Sequence, residues 1–187
     1  MFENIMLVLF FNILIKDNNI DISHEYMDMQ IQISIDNFEN ECKEYEDYLS
    51  KLYFKGEHKD VIIKKINRYL RSNLKNKGEF IVTYSIEKGV DPYLVTAVIL
   101  QETGCYWNCS KLAKTCNNYG GNKGKPGCNG GSYRKFSSQE AGLKFAINKL
   151  ANYYKKGLTT PEKINPKYAA DKTWYKKVNN YMKKLKK

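Results

Sequence analysis

The chain is expected to fold as an α+β protein in which helix dominates, and three observations predict this. Past His58, apolar residues recur at helical spacing in successive segments bounded by capping residues, glycine and proline. Residues 105–135 interrupt them with a run rich in Gly, Asn and Cys, which reads as an irregular β-like lobe after the third helix. The 187 residues include 15 Tyr, 8 Phe and 2 Trp, enough for one good core and too many for a chain disordered throughout.

From the N-terminus, Ile5 to Ile15 is an apolar run broken by Asn12, about as long as a signal h-region and short for a bilayer span. No Lys or Arg precedes it, Glu3 has the wrong sign, and no A-x-A site follows. Residues 1–23 are therefore read as a signal-like or membrane-anchor segment, with an apolar element packed on the domain as the alternative. Met27 to Ile35 alternates strictly between apolar and polar residues, which predicts a half-buried strand. Asn37 to Tyr53 reads as an acidic helix ended by Lys55-Gly56. Together residues 24–57 form an acidic strand/helix stalk or linker, and the main domain spans residues 58–187.

Within that domain, Val61 to Leu74 carries Ile62, Ile66, Tyr69 and Leu70 at helical spacing. Gly78 to Lys88 is a second helix stopped by Gly89. Asp91-Pro92 supplies a cap followed by proline at the first helical position, so Tyr93 to Glu102 is a helix, and Gly104 ends it. Ser137 and Ser138 cap a helix over Gln139 to Lys155, with Ala141, Phe145, Leu150 and Tyr154 on its inner face. Pro161 and Pro166 punctuate a final pair of short helices that lead into a basic tail from Lys176.

The net charge of +11 hides an asymmetry. Residues 1–60 hold 5 Lys against 13 Asp/Glu, a balance of −8, and residues 61–187 hold 26 Lys/Arg against 7 Asp/Glu, a balance of +19. Such a domain suits a polyanion, either nucleic acid or an anionic envelope polymer. Its basic residues are spread through loops and tail instead of lining one stripe, so no nucleic acid partner is expected.

Four of the five cysteines, Cys105, Cys109, Cys116 and Cys128, fall within 24 residues at intervals of 3, 6 and 11. The intervals contain no C-x2-C knuckle and no His lies nearby, so two disulfides are expected and no metal. Their connectivity is open among three possibilities. Oxidised cysteines place the domain outside the cytoplasm, and Cys42 is left over.

Leu94, Val95, Val98, Ile99 and Glu102 lie on one helical stripe, so a glutamate stands where another leucine belongs. Burial on that stripe and the negative end of the helix dipole both raise a carboxyl pKa, and the glycine-rich loop that follows leaves space beside it. A general acid working at neutral pH needs that shift. His24 and His58 lie outside this region and have no Ser or Cys context, which argues against Ser/His or Cys/His nucleophilic chemistry.

The stretch Gly89-Val-Asp-Pro-Tyr-Leu-Val-Thr-Ala-Val-Ile-Leu-Gln-Glu-Thr-Gly104 resembles the catalytic helix of lysozyme-like peptidoglycan hydrolases, closest to the bacterial and phage endo-β-N-acetylglucosaminidases of glycoside hydrolase family seventy-three. In order after it come Ser110-Lys-Leu-Ala113, Asn117-Asn118-Tyr-Gly-Gly-Asn-Lys-Gly124, Tyr133-Arg-Lys-Phe-Ser-Ser-Gln-Glu-Ala-Gly142 and Tyr168-Ala-Ala-Asp171, each similar to a family motif. The resemblance covers roughly residues 61–187. It implies a lysozyme-like fold, peptidoglycan glycan strands as substrate, no cofactor, Glu102 as proton donor, and Tyr168 lining the sugar site. Asn117 and Asn118 are candidates for bonding N-acetyl groups, or are turn residues. Tyr106, Trp107, Tyr119 and Tyr133 are candidates for stacking on sugar rings, or pack internally. The expected location is secreted, or at the cell surface through a membrane tether, or on a virion if phage-encoded.

One departure stands out. Between Thr103 and Gln139 the chain has no Asp or Glu, so the family's second acid in the β-lobe is missing, and Glu140 and Asp171 further along the chain are the alternatives, each read first as structural. A lone acid suits substrate assistance by the sugar's 2-acetamido group, or a lytic transglycosylase in which the 6-hydroxyl of N-acetylmuramic acid attacks. Muramidase cleavage, a wall-binding module without turnover, and a nucleic-acid-binding protein are the remaining readings.

Overall fold

The computed structural model describes residues 24–104 and 110–187. The apolar run at the N-terminus, and Cys105, Tyr106, Trp107 and Cys109, lie outside the described residues. The chain divides into two units after Ser50.

In the first unit, the strand expected over Met27–Ile35 is corrected to helix: α1 runs unbroken from His24–Leu52 over 29 residues. Alternation marks a strand only where one face is buried. Here Met29, Ile31, Ile33 and Ile35 are all 41–50% exposed, so no face is being sorted. Ile31, Ile35, Phe38 and Cys42 also fall at i, i+4, i+7 and i+11, a helical series continuous with the acidic segment behind it. A helix satisfies its own backbone groups, whereas a lone strand leaves a row unpaired. Gln32 donates to Asp36 at 2.8 Å, a bond that only helical spacing brings together.

The second unit opens with a hairpin of β1 (Tyr53–Phe54) and β2 (Glu57–His58), antiparallel with Tyr53 opposite His58. Lys55 and Gly56, expected as a helix stop, instead form its two-residue turn, with φ of 51° and 80°. The hairpin is fastened to the domain at three points. Glu57 pairs with Lys65 at 2.9 Å and accepts from the Tyr93 hydroxyl at 2.8 Å, and Lys55 reaches Asp91 at 3.3 Å.

Helix α2 (Lys59–Tyr69) begins under His58, whose Nδ1 accepts from the Asp60 amide, and it buries Ile62 and Ile66. Helix α3 (Gly78–Glu87) follows a 3-10 turn at Ser72–Leu74. Helix α4 (Pro92–Thr103) is capped as its sequence predicts, with the Asp91 carboxylate accepting from the amides of Tyr93 at 2.9 Å and Leu94 at 3.4 Å. The expected single stripe is too narrow a description, however. Every residue from Pro92 to Leu100 is buried, because α4 is the central helix and packs on α2, α3, α6 (Gln139–Tyr154) and α8 (Trp174–Leu185). Each fully buried Leu, Val or Ile contributes about 1.5–3 kcal/mol, which makes this helix the main source of core stability.

Between α4 and α6, a short helix α5 (Lys111–Cys116) stands where loop and strand were expected, capped by the Ser110 hydroxyl on the Ala113 amide at 3.1 Å. The β-like lobe after it is held by isolated antiparallel bridges, Lys123 with Tyr133 and Gly127 with Arg134. Ser138 caps α6 through the Ala141 amide. The buried face of α6 is Gly142, Leu143, Ala146, Ile147, Leu150 and Ala151, one position round from the expected face: Ala141, Phe145 and Tyr154 are only half-buried. Helix α7 (Pro161–Tyr168) carries Pro166 internally, and the basic tail expected from Lys176 is the body of α8, which buries Val178 and Leu185. The result is a mainly helical α+β, lysozyme-like fold. No described helix is long and apolar enough to cross a membrane.

Candidate active site

Glu102 stands at the last turn of α4, where the central helix leaves the core and its burial falls from complete to partial. Its two oxygens have different surroundings. Oε1 accepts a hydrogen bond from the indole Nε1 of Trp174 at 3.1 Å. Oε2 faces the glycine turn, 3.9 Å from where a Cβ on Gly121 would lie. Burial pushes the Glu102 carboxyl above its ordinary value, against the opposing pull of the Trp174 hydrogen bond and the Lys149 charge. An indole N–H only donates, so Oε1 is the acceptor in that bond, and Oε2 is the oxygen turned toward the glycine turn.

Aromatic and basic side chains from three later helices close around the carboxyl. Trp174, at the start of α8 and 3% exposed, stacks on Tyr168 at the end of α7 with centroids 4.7 Å apart. Tyr168 meets Tyr153 of α6 edge-on at 6.2 Å. Burial first, and then the Glu102 charge, drives the Tyr168 hydroxyl well above the usual phenol range, so it stays neutral. Lys149 of α6 holds its ammonium 4.3 Å from the Tyr168 ring centroid and donates to Asn122 Oδ1 at 3.3 Å. Desolvation lowers the Lys149 pKa, and Glu102 opposes this.

The glycine turn is positioned from below. Asn118, 1% exposed, donates from Nδ2 to the carbonyls of Asn122 and Arg134, both at 2.8 Å, and accepts from the Asn122 amide at 2.9 Å. Its amide is thus occupied inside the lobe. Asn117 takes the left-handed conformation that ends α5 and donates to the Phe136 carbonyl at 3.2 Å. Tyr119 is buried, receives Asn73 Nδ2 on its hydroxyl at 3.2 Å, and has its pKa pushed up to about 12 by that burial. Tyr133, 40% exposed at the outer bridge, is the more accessible of the two described stacking candidates. A disulfide joins Cys116 to Cys128 across the base of the lobe, which settles one pairing; Cys42 is free.

Glu140 and Asp171, the two acids weighed as partners for Glu102, are engaged elsewhere. Glu140 is exposed and faces Lys77 at 3.6 Å. Asp171 is held at about 2 by Lys177 and Thr173, bonds that shape the turn into α8. Sequence reasoning missed Lys149, the indole of Trp174 as a partner, and Gly121. Lys149 had a signal: it lies beside the buried Ala146 and Leu150 on α6, where a lysine is out of place on a core-facing flank.

A half-exposed acid ending a buried central helix, opposite a glycine turn and below an aromatic pair, defines a lysozyme-like glycosidase domain. The family described as glucosaminidase, mannosyl-glycoprotein endo-beta-N-acetylglucosaminidase, matches residues 78–187, and the chain belongs to that family. No curated protein matches the chain.

Proposed function

We propose that the protein cleaves the β-1,4 glycan backbone of peptidoglycan as an endo-β-N-acetylglucosaminidase, with Glu102 protonating the leaving oxygen from Oε2. The observation that carries this reading is the asymmetric carboxyl: one oxygen tied to Trp174, the other turned to an open glycine face, and the pKa raised by burial. Sugar contact falls to Tyr168, Tyr133 and the backbone of the Asn117–Gly121 turn. Tyr119 and the Asn118 amide support that turn from inside.

A lytic transglycosylase is the second reading, favoured by the empty stretch between Thr103 and Gln139, where no acid exists to activate water. In either reading the chain is a wall-facing enzyme, secreted or surface-tethered, and the Cys116–Cys128 disulfide supports an oxidising compartment. The basic surface of residues 61–187 is held to anionic wall polymers, and residues 24–57 act as an acidic stalk.

The test is digestion of purified sacculi with mass spectrometry of the products. A reducing N-acetylglucosamine end is expected; a 1,6-anhydro end selects the transglycosylase, and a reducing N-acetylmuramic acid end a muramidase. Glu102→Gln should lose activity by about 1000-fold or more, as an enzyme deprived of its general acid does. Equal activity of variant and wild type removes the mechanism.

A further inference from the structure

Lys149 is a half-buried lysine beside the carboxyl that ends α4, and the family reading gives it no task. Its ammonium is 4.3 Å from the Tyr168 ring centroid and 3.3 Å from Asn122 Oδ1, and none of the ion pairs among the described residues joins it to Glu102. Tyr168 in turn stacks on Trp174, and Trp174 donates to Glu102. The cation is therefore fixed at the edge of the site by neutral partners. It is near enough for its field to act on the carboxyl, yet it occupies neither carboxyl oxygen.

A direct ion pair would hold Glu102 ionised and unable to give a proton. An acid with no cation nearby would bind its proton too firmly in this desolvated setting, and the carboxylate left behind would have only one hydrogen bond. A cation held at a distance meets both demands. We infer that Lys149 is a positioning residue for the reaction, acting through Tyr168 and Asn122 to stabilise the charge that develops on Glu102 as the proton leaves. The inference rests on the reading of Glu102 as the acid. It also gives the missing second carboxylate a partial answer: this site balances its single acid with a cation.

The groups that face Glu102 are Lys149 from α6, Tyr168 from α7, Trp174 from α8 and the Gly121 turn, with Tyr153 behind Tyr168. Burial keeps the Tyr168 hydroxyl neutral and the indole carries no charge, so Lys149 is the cation among the described groups that face Glu102.

The experiment compares Lys149→Met and Lys149→Arg with wild type in full pH profiles on soluble glycan oligomers, alongside a carbon-13 NMR titration of the Glu102 carboxyl. Removing the cation disfavours the carboxylate, so its pKa and the alkaline limb of activity both move up. In Lys149→Met the expected shift is about one pH unit, with kcat down about tenfold and KM little changed. Lys149→Arg keeps the limb near wild type. An unmoved limb and unmoved titration in Lys149→Met overturn the inference. So does equal impairment of both variants with a lower melting temperature, which marks a packing role. If Glu102→Gln retains activity the acid assignment fails separately, while the titration still reads the coupling of Lys149 to Glu102.

Discussion

Burial that raises the Glu102 carboxyl has a thermodynamic consequence apart from any catalysis. A group that binds its proton more tightly folded than unfolded contributes stability that is complete below its unfolded pKa. That contribution is lost as pH rises through the raised folded value. Above that raised value the native state therefore carries a desolvated charge, opposed among the described residues by the Trp174 indole and Lys149. Glu102→Gln keeps an oxygen for Trp174 Nε1 and has no charge to desolvate. Scanning calorimetry should find it melting above wild type at about pH 8, with the gap closing below about pH 4, where both side chains are neutral. A variant that melts lower at both pH values would falsify the account of Glu102 as strained by its site. The glutamate itself was legible in the sequence, because a charged residue ending an apolar run is conspicuous. Its partners were not, since Trp174 lies 72 residues away and nothing local marks that it donates to Glu102.

Elements were legible where a local chemical rule decides them. Asp91-Pro92 and Gly104 fixed both ends of α4, and Ser138 fixed the start of α6, because a cap needs only its own side chain and a nearby amide. Elements were misread where the decision is tertiary. The alternation in α1 looked like a strand because burial, which gives alternation its meaning, is invisible in sequence. The face of α6 was read one position off because Gly142 presses onto the lobe: a Cβ there would run into the Asn117 carbonyl oxygen. That contact is the seam between α6 and the turn carrying Gly121, so it gives a test at this scale. Gly142→Ala should lose about 1–3 kcal/mol in urea denaturation by overpacking, and should lower kcat as the turn moves off Glu102. Lys144→Ala, exposed on the same helix, should leave both near wild type. Unchanged stability in Gly142→Ala would mean that the lobe does not bear on α6 as described.

Across the whole chain, the charge distribution was fully legible and its consequence depends on range. Residues 61–187 carry 26 Lys/Arg against 7 Asp/Glu, a balance of +19, largely on exposed side chains. Attraction between such a surface and an anionic wall polymer acts through solvent and is screened over about 8 Å at physiological salt and about 3 Å at 1 M. The protonation proposed for Glu102 rests on contacts of a different kind: a hydrogen bond of 3.1 Å to a buried indole and a cation held on a half-buried ring. Salt screens these far less, because little solvent intervenes. Attachment and catalysis should therefore separate as salt is raised. Co-sedimentation with sacculi should fall steeply between about 0.05 and 0.5 M NaCl, while turnover of a soluble glycan oligomer changes less than about twofold. Sacculi stripped of anionic polymer should bind weakly at every salt concentration. Retention that ignores salt would place wall attachment in the glycan site alone, and would leave the basic surface without a partner.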